Sequence, residues 1–261
     1  AYWAFAGQAM IFVLAVFFLV VDPIIKSEKS PLKIPLVRLS LIGSTILLVS
    51  MAGAEFHLLI SPLLCFGGFL LFRIFLWMDN TNTTHRLFPK NPFDTKTSMG
   101  CGLLFFFTIS MSTMSFLVYG PFLLDILYGL TPLLAGYIVV SGAMAWGVSA
   151  IIFSRFNQHS EKWLIRLGSV LVTCSNLGFA LAFPAGQLWL ILPCAIGQGA
   201  GLGMLWGFVT RRILAATPAS ERNLIASTIP TTQQIGFAVG AASTGIVANA
   251  VGFGENISIT T

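Results

Sequence analysis

Hydrophobic residues in this chain run in long blocks, and each block is about as long as a membrane is thick. Apolar stretches at 3–21, 36–54, 57–78, 99–124, 132–153, 164–183, 188–209 and 230–252 are separated by short links that hold nearly all the charge. A helix rises about 1.5 Å per residue, so roughly 20 residues cross the ~30 Å of hydrocarbon in a bilayer. Length decides between core helix and span, and the pattern predicts an all-α, polytopic transmembrane helix bundle of about eight spans.

Composition agrees with that pattern. With 56% hydrophobic and only 9% charged residues in 261, the chain has too little polar surface to coat a soluble globule. The formal charge of +5 does not point to nucleic acid, because the basic residues sit in links and form no stripe interleaved with aromatics.

Their distribution is more informative than their number. If all eight blocks cross, every one of the 14 Lys and Arg residues falls on or near one side, Arg38 and Arg73 reaching it by snorkelling. The opposite links hold only the acids Glu55, Asp125 and Glu255. The positive-inside rule makes the basic side cytoplasmic, and both chain ends then face outward. Removing any one span would scatter the charges over both faces. The chain starts at Ala1 with no initiator Met, and 3–21 is too long and wrongly flanked for a cleaved signal peptide. A piece of a longer protein is expected, with at least one span before Ala1.

Metal and hydrolytic chemistry lack their parts. Cys65, Cys101, Cys174 and Cys194 lie within apolar stretches with no C-x-x-C pair, and are expected to be buried small hydrophobes. His57, His85 and His159 stand at span ends or in links without clustered carboxylates. A membrane acyl or glycosyl transferase would need such a cluster. Glycosylation sequons occur at Asn82 and Asn256, the first on the side where it would go unused.

Polar residues inside the spans are the remaining candidates. Thr108, Ser112, Ser115 and Tyr119 recur at steps of four, three and four, which puts them on one helical stripe. Such a stripe either packs against a neighbouring helix or forms a cavity wall, and Gly120 and Pro121 just beyond it could loosen the helix. Asp125 follows, either solvated in the outer interface or coupling a cation. The seventh span reads GQGAGLGMLWG, a small-residue packing surface in which Gln198 must bond a neighbour or line water. The eighth opens with Thr231, Thr232, Gln233 and Gln234 ahead of Gly236 and Gly240. Asn176 and Trp146 are isolated and read as packing features.

Several of these residues carry a resemblance. Tyr119-x-Pro121, Gly129, Pro132, Ala135 and Gly136, with Asp125 where a Gln is usual, resemble a stretch of the major facilitator superfamily in its fourteen-span drug:proton antiporter branch. The glycine-rich seventh span, then Pro218, Glu221, Arg222, Ala226 and Ser227, then Gln234, Gly236 and Gly240, resemble the end of the same fold. The link 154–168 occupies the place of that family's basic signature loop. Arg155, Lys162, Arg166 and Gly168 echo its character while its Asp-Arg pair is absent.

The resemblance implies an order of parts: 1–21 as the last span of a first half, 22–98 as a linker region with two extra spans, and 99–261 as a second-half bundle lacking its final span. It implies a secondary active transporter in the plasma or inner membrane, without a cofactor, exporting small lipophilic or cationic compounds against a proton flux. The fourth and seventh spans would line a central cavity and the eighth would flank it. That makes Thr108, Ser112, Ser115, Tyr119, Gln198 and Gln234 the candidate substrate-binding residues and Asp125 the local candidate for proton coupling. An uptake carrier for a metabolite and a non-transporting membrane partner subunit are the alternatives. Oligomeric state is not legible.

Overall fold

The computed structural model describes residues 2–19, 35–54, 59–82, 86–156 and 160–250. Lys26, Lys29, Lys33, Glu55, Glu255, the three histidines and the sequon at Asn256 lie outside the described residues, as does most of the sequon beginning at Asn82. The chain divides into two compact units, Ala1–Ile34 and Pro35–Thr261. In the first, the described residues form one helix, α1, Tyr2–Leu19, with no charged residue.

The second unit is a helical bundle: α2 Leu36–Ala54, α3 Ile60–Thr81, α4 Ser98–Tyr128, α5 Pro132–Ser154, α6 Glu161–Ala182, α7 Leu188–Ala216, a 3-10 turn Ala219–Glu221 and α8 Arg222–Ala250. No strand occurs among the described residues. Among the described residues six helices, α2 to α7, are long and apolar enough to cross a membrane, where the sequence pattern suggested about eight. The 29-residue α8 has ample length, but its Thr, Gln, Ser and Asn content lowers its hydropathy. These helices make the chain an integral membrane protein of all-α, polytopic architecture.

Local chemistry sets the boundaries of α4. Thr97 caps its start, its hydroxyl accepting from the Gly100 amide at 3.0 Å. Pro121 does not end the helix, which runs on to Gly129 at φ 62°, where a left-handed residue lets the amides of Gly129 and Leu130 reach the carbonyls of Asp125 and Leu124. Pro132 then opens α5, at a first-turn position where no amide is needed.

Packing makes α7 the centre of one group, pressed between α5 and α6, while α4 pairs with α8 and α8 with α2, which also packs on α3. Lipid offers no hydrophobic drive between helices, so close backbone approach matters most. On α7, a Cβ at Gly199 would fall on the Gly142 carbonyl of α5, and one at Gly203 on Ser149 and the Trp146 carbonyl. Aromatic contacts fill the wider gaps: Phe116 of α4 stacks on Phe179 of α6 with centroids 4.1 Å apart. Leu63, Phe66 and Leu70 on α3 and Met144, Val148 and Ile151 on α5 point outward, as lipid-facing side chains do.

End-to-end ties fix alternating helix directions. At one end Arg38 meets Asp79 at 2.7 Å, and Glu161 lies 3.3 Å from Arg212, an ion pair by distance without hydrogen-bond alignment. At the other, Tyr128 donates to the Ala182 carbonyl at 3.1 Å and Asn249 to that of Gly53 at 3.2 Å. The described Lys and Arg residues therefore collect at one end of the bundle. Arg38 does not snorkel outward. It is 8% exposed, and its partner Asp79, 2% exposed, also accepts from the amides of Leu87 and Phe88. A guanidinium near a helix start is held inside when a fixed carboxylate meets it. Of the four cysteines only Cys194 is buried; Cys101 and Cys174 are exposed, on outward faces of α4 and α6 that the apolar pattern alone does not distinguish.

Candidate functional site

The polar stripe of α4 emerges on the surface of the bundle between α6 and α8. Thr108 and Ser112 line a cleft of about 390 Å³ against α6, whose own polar residues Ser169, Thr173 and Asn176 follow the same four-and-three spacing. Phe105, Ile109, Val172 and Leu177 make its apolar walls. Thr108 and Ser112 stand ten and fourteen residues after the first residue of the 31-residue α4, near the middle of the membrane-spanning length.

The hydroxyls face the cleft with their protons already committed. Thr108 donates to Leu104 O at 2.9 Å, Ser112 to Ile109 O at 2.9 Å, Ser169 to Ile165 O at 2.7 Å and Thr173 to Ser169 O at 2.9 Å. A hydroxyl has one donor and two acceptor lone pairs, so what remains for a ligand is acceptors. Behind them Gln198 of α7, 8% exposed, donates from Nε2 to Asn176 Oδ1 at 2.7 Å. That bond answers the need for a partner at a buried amide and engages the carbonyl oxygen of Asn176, not its amino group.

The other candidates separate. Ser115 meets Thr244 of α8 at 2.8 Å, and because Thr244 gives its own proton to Gly240 O, Ser115 is the donor. Tyr119 is half-buried one turn beyond. Gln234 is exposed on α8 and does not line the cleft. Asp125 is exposed at the end of α4 remote from the basic residues, with no ion pair among the described residues. Arg155, Lys162 and Arg166 are exposed at the basic end, likewise without an ion pair among the described residues.

Sequence reasoning missed Ser169 and Thr173 and set Asn176 aside as isolated, although the spacing rule that picked out the α4 stripe applies to all three equally. Asp79 carried no local signal. A cavity of about 420 Å³ lies beside it at the basic end and is lined by Arg73, Trp77, Asn80 and Asp94 among others. The Asp79 carboxylate there is already engaged by Arg38 and two amides, so this cavity offers less free chemistry than the cleft. No group of three or more His, Cys, Asp or Glu side chains that could hold a metal occurs among the described residues.

Fold and site together define a polytopic helical membrane protein with an acceptor-lined cleft about halfway along its helices. The riboflavin transporter of Clostridioides difficile is 29% identical over 123 residues, 47% of this chain and 27% of that protein. A protein of Mycobacterium tuberculosis named a probable multidrug-efflux transporter, found in two strains, is 28% identical over 236 residues, 85% of this chain and 48% of that protein. The chain thus spans about half the length of these relatives or less. No family model matches it, and no solved structure does.

Proposed function

We propose that the protein is a secondary active transporter of the major facilitator type that exports small lipophilic or cationic compounds in exchange for protons, with the basic loops, including Arg155, Lys162 and Arg166, in the cytoplasm. The observation that carries this reading is the acceptor-lined cleft of Thr108, Ser112, Ser169 and Thr173 beside the Gln198–Asn176 pair. Hydroxyl oxygens whose protons are committed favour ligands that bring donors, as ammonium and amine compounds do. Similarity to proteins named as multidrug-efflux and riboflavin transporters supports transport as the activity. The riboflavin relative also favours a second reading, uptake of a polar metabolite, for which the Asn176 amino group would supply the donor that hydroxyls cannot.

Accumulation of a fluorescent lipophilic cation in cells stripped of their own pumps tests the proposal. Expression should lower accumulation, and a protonophore should restore it. Thr108→Val with Ser112→Ala should weaken export about a hundredfold, since each hydrogen bond to a charged group is worth at least about 1.5 kcal/mol and a factor of ten is about 1.4 kcal/mol. Unchanged accumulation with the protein shown to be in the membrane would overturn export and leave the uptake reading to be tested with labelled metabolites.

Asp125 is the proposed coupling acid of this segment. It stands thirteen residues beyond Ser112, about 20 Å along the helix, so it acts at a distance from the cleft. Asp125→Asn is expected to reduce proton-driven export severalfold while leaving substrate exchange without a gradient intact. Equal loss of both would assign it a structural role instead.

A further inference from the structure

The outward face of α3 carries a charge where only apolar side chains would suit the lipid. Leu63, Phe66, Leu70, Arg73 and Trp77 follow one another at steps of three and four, so they form a single stripe along the helix, and all five are exposed. Arg73 interrupts the stripe eight residues before Thr81, the last residue of α3, about 12 Å along the axis. It has no ion pair among the described residues. A guanidinium on a lipid-facing surface at that depth is costly, and its long side chain lowers the cost by reaching toward the nearer interface, where lipid phosphates lie.

The nearer interface is at the basic end, and there Arg73, Trp77 and Asn80 line the 420 Å³ cavity together with the link that leads to α4. Its Asp79 is spent on Arg38 and two amides, but a second carboxylate is not. Asp94 accepts from the Lys96 amide through Oδ1 at 2.9 Å and has no ion pair among the described residues. The link holds Asp94 firmly. Asn91 sits at φ 51° with its carbonyl accepting from the Asp94 amide at 3.1 Å, and a Cβ at Gly100 of α4 would fall on the Asp94 backbone. The cavity therefore combines an uncommitted cation with an uncommitted anion, at the end of a stripe suited to hydrocarbon. Its volume lies within the roughly 300–1,000 Å³ of small-molecule sites.

We propose that this cavity seats the headgroup of an aminophospholipid of the phosphatidylethanolamine type, with the phosphate against Arg73, the ammonium against Asp94 and the acyl chains along Leu70, Phe66 and Leu63. A guanidinium pairs with phosphate through two parallel hydrogen bonds. The carboxylate calls for N–H donors, which a primary ammonium has and a choline lacks, and it repels a headgroup of net negative charge. Trp77 suits the headgroup level, where indole rings collect. A soluble phosphate compound would meet the same two charges and leave the apolar stripe uncovered.

Native mass spectrometry of the purified, delipidated protein, with dioleoyl phosphatidylethanolamine, phosphatidylcholine or phosphatidylglycerol added back in turn, tests the assignment. The ethanolamine lipid should be held about fivefold more tightly than the choline lipid, as one partly exposed ion pair allows. Asp94→Asn, which keeps the acceptor for the Lys96 amide, should erase that preference. Arg73→Gln should weaken retention of all three lipids about tenfold, whereas Arg211→Gln, exposed on α7 at the same end of the bundle, should change nothing. Free phosphoethanolamine at equal concentration should leave the lipid in place, and displacement would assign the site to a soluble compound and overturn the lipid reading. Equal retention of the three lipids by the unaltered protein, or a preference that survives Asp94→Asn, would overturn it as well. The measurement involves no transport, so its failure and failure of the export reading are distinguishable.

Discussion

Asp79→Ala is expected to destabilise the purified protein by about 3–5 kcal/mol, the range for removing one member of a buried ion pair. The carboxylate is 2% exposed and concentrates four bonds: Arg38 at 2.7 Å, the Leu87 amide at 2.9 and 3.1 Å to its two oxygens, and the Phe88 amide at 2.8 Å. Truncation takes the counter-charge from a buried guanidinium and the acceptor from two amides at once, one of them on the buried Phe88. Thermal unfolding in detergent measures the loss. The paired replacement Arg38→Met with Asp79→Leu should recover part of it, because substituting an apolar pair for a buried ionic one is often neutral. A loss below about 1 kcal/mol, in the range of exposed pairs, would show that water reaches the carboxylate. Arg86–Glu221, a similar 2.8 Å pair with its side chains 21% and 25% exposed, is a suitable contrast.

Gly199→Val is expected to cost about 3 kcal/mol, near the upper end for overpacking, or to prevent recovery of monodisperse protein. The first added carbon would fall on the backbone carbonyl of Gly142, and backbone cannot swing aside as the tip of a side chain can. Relief requires α5 to move away from α7, which also separates Gly203 from Trp146 and Ser149. Gly207 lies on the same helix with nothing within 4 Å of its would-be Cβ, so Gly207→Ala should be neutral or slightly stabilising through helix propensity. Retention time and melting temperature of the two variants decide the matter. Equal behaviour would mean that the α5–α7 contact is looser than the geometry states.

These two sites differ in how far the sequence revealed them. The glycines of α7 announce a packing surface by spacing alone, and only the partner helix had to be learned from the structure. Asp79 sits at the end of an apolar run, where an acid is unremarkable, and its meaning depends on Arg38, 41 residues away. Long-range pairing of this kind leaves no periodic trace.

The helices show the same division. Runs of apolar residues marked α2, α5 and α7 closely at their starts, because Pro35 precedes α2, Pro132 opens α5 and the polar pair Gly186-Gln187 precedes α7. The apolar pattern put the end of α4 at Leu124 and the start of α8 at Pro230, whereas the helices run to Tyr128 and from Arg222. Pro121 and Pro230 both lie inside helices, as membrane neighbours tolerate, and α4 stops instead at a glycine with positive φ. The α4 stripe could be read from spacing, but whether it faced a cleft required the matching stripe on α6. Gln198 needed a partner on energetic grounds, and the register that supplies Asn176 is a property of helix packing.

The ties that flank the α2–α3 hairpin have a mechanical consequence. At the basic end Asp79 holds Leu87 and Phe88, the Leu87 carbonyl accepts from Thr228 at 3.3 Å, and Arg86 grips Glu221 just before α8. At the far end Asn249 of α8 holds the carbonyls of Gly53 and Ala54. A beam pinned at both ends cannot swing like a door. The hairpin therefore has to travel with α8 as one solid piece whenever the bundle tilts, and the space between them changes width through side-chain rotation instead of hinging of the backbone.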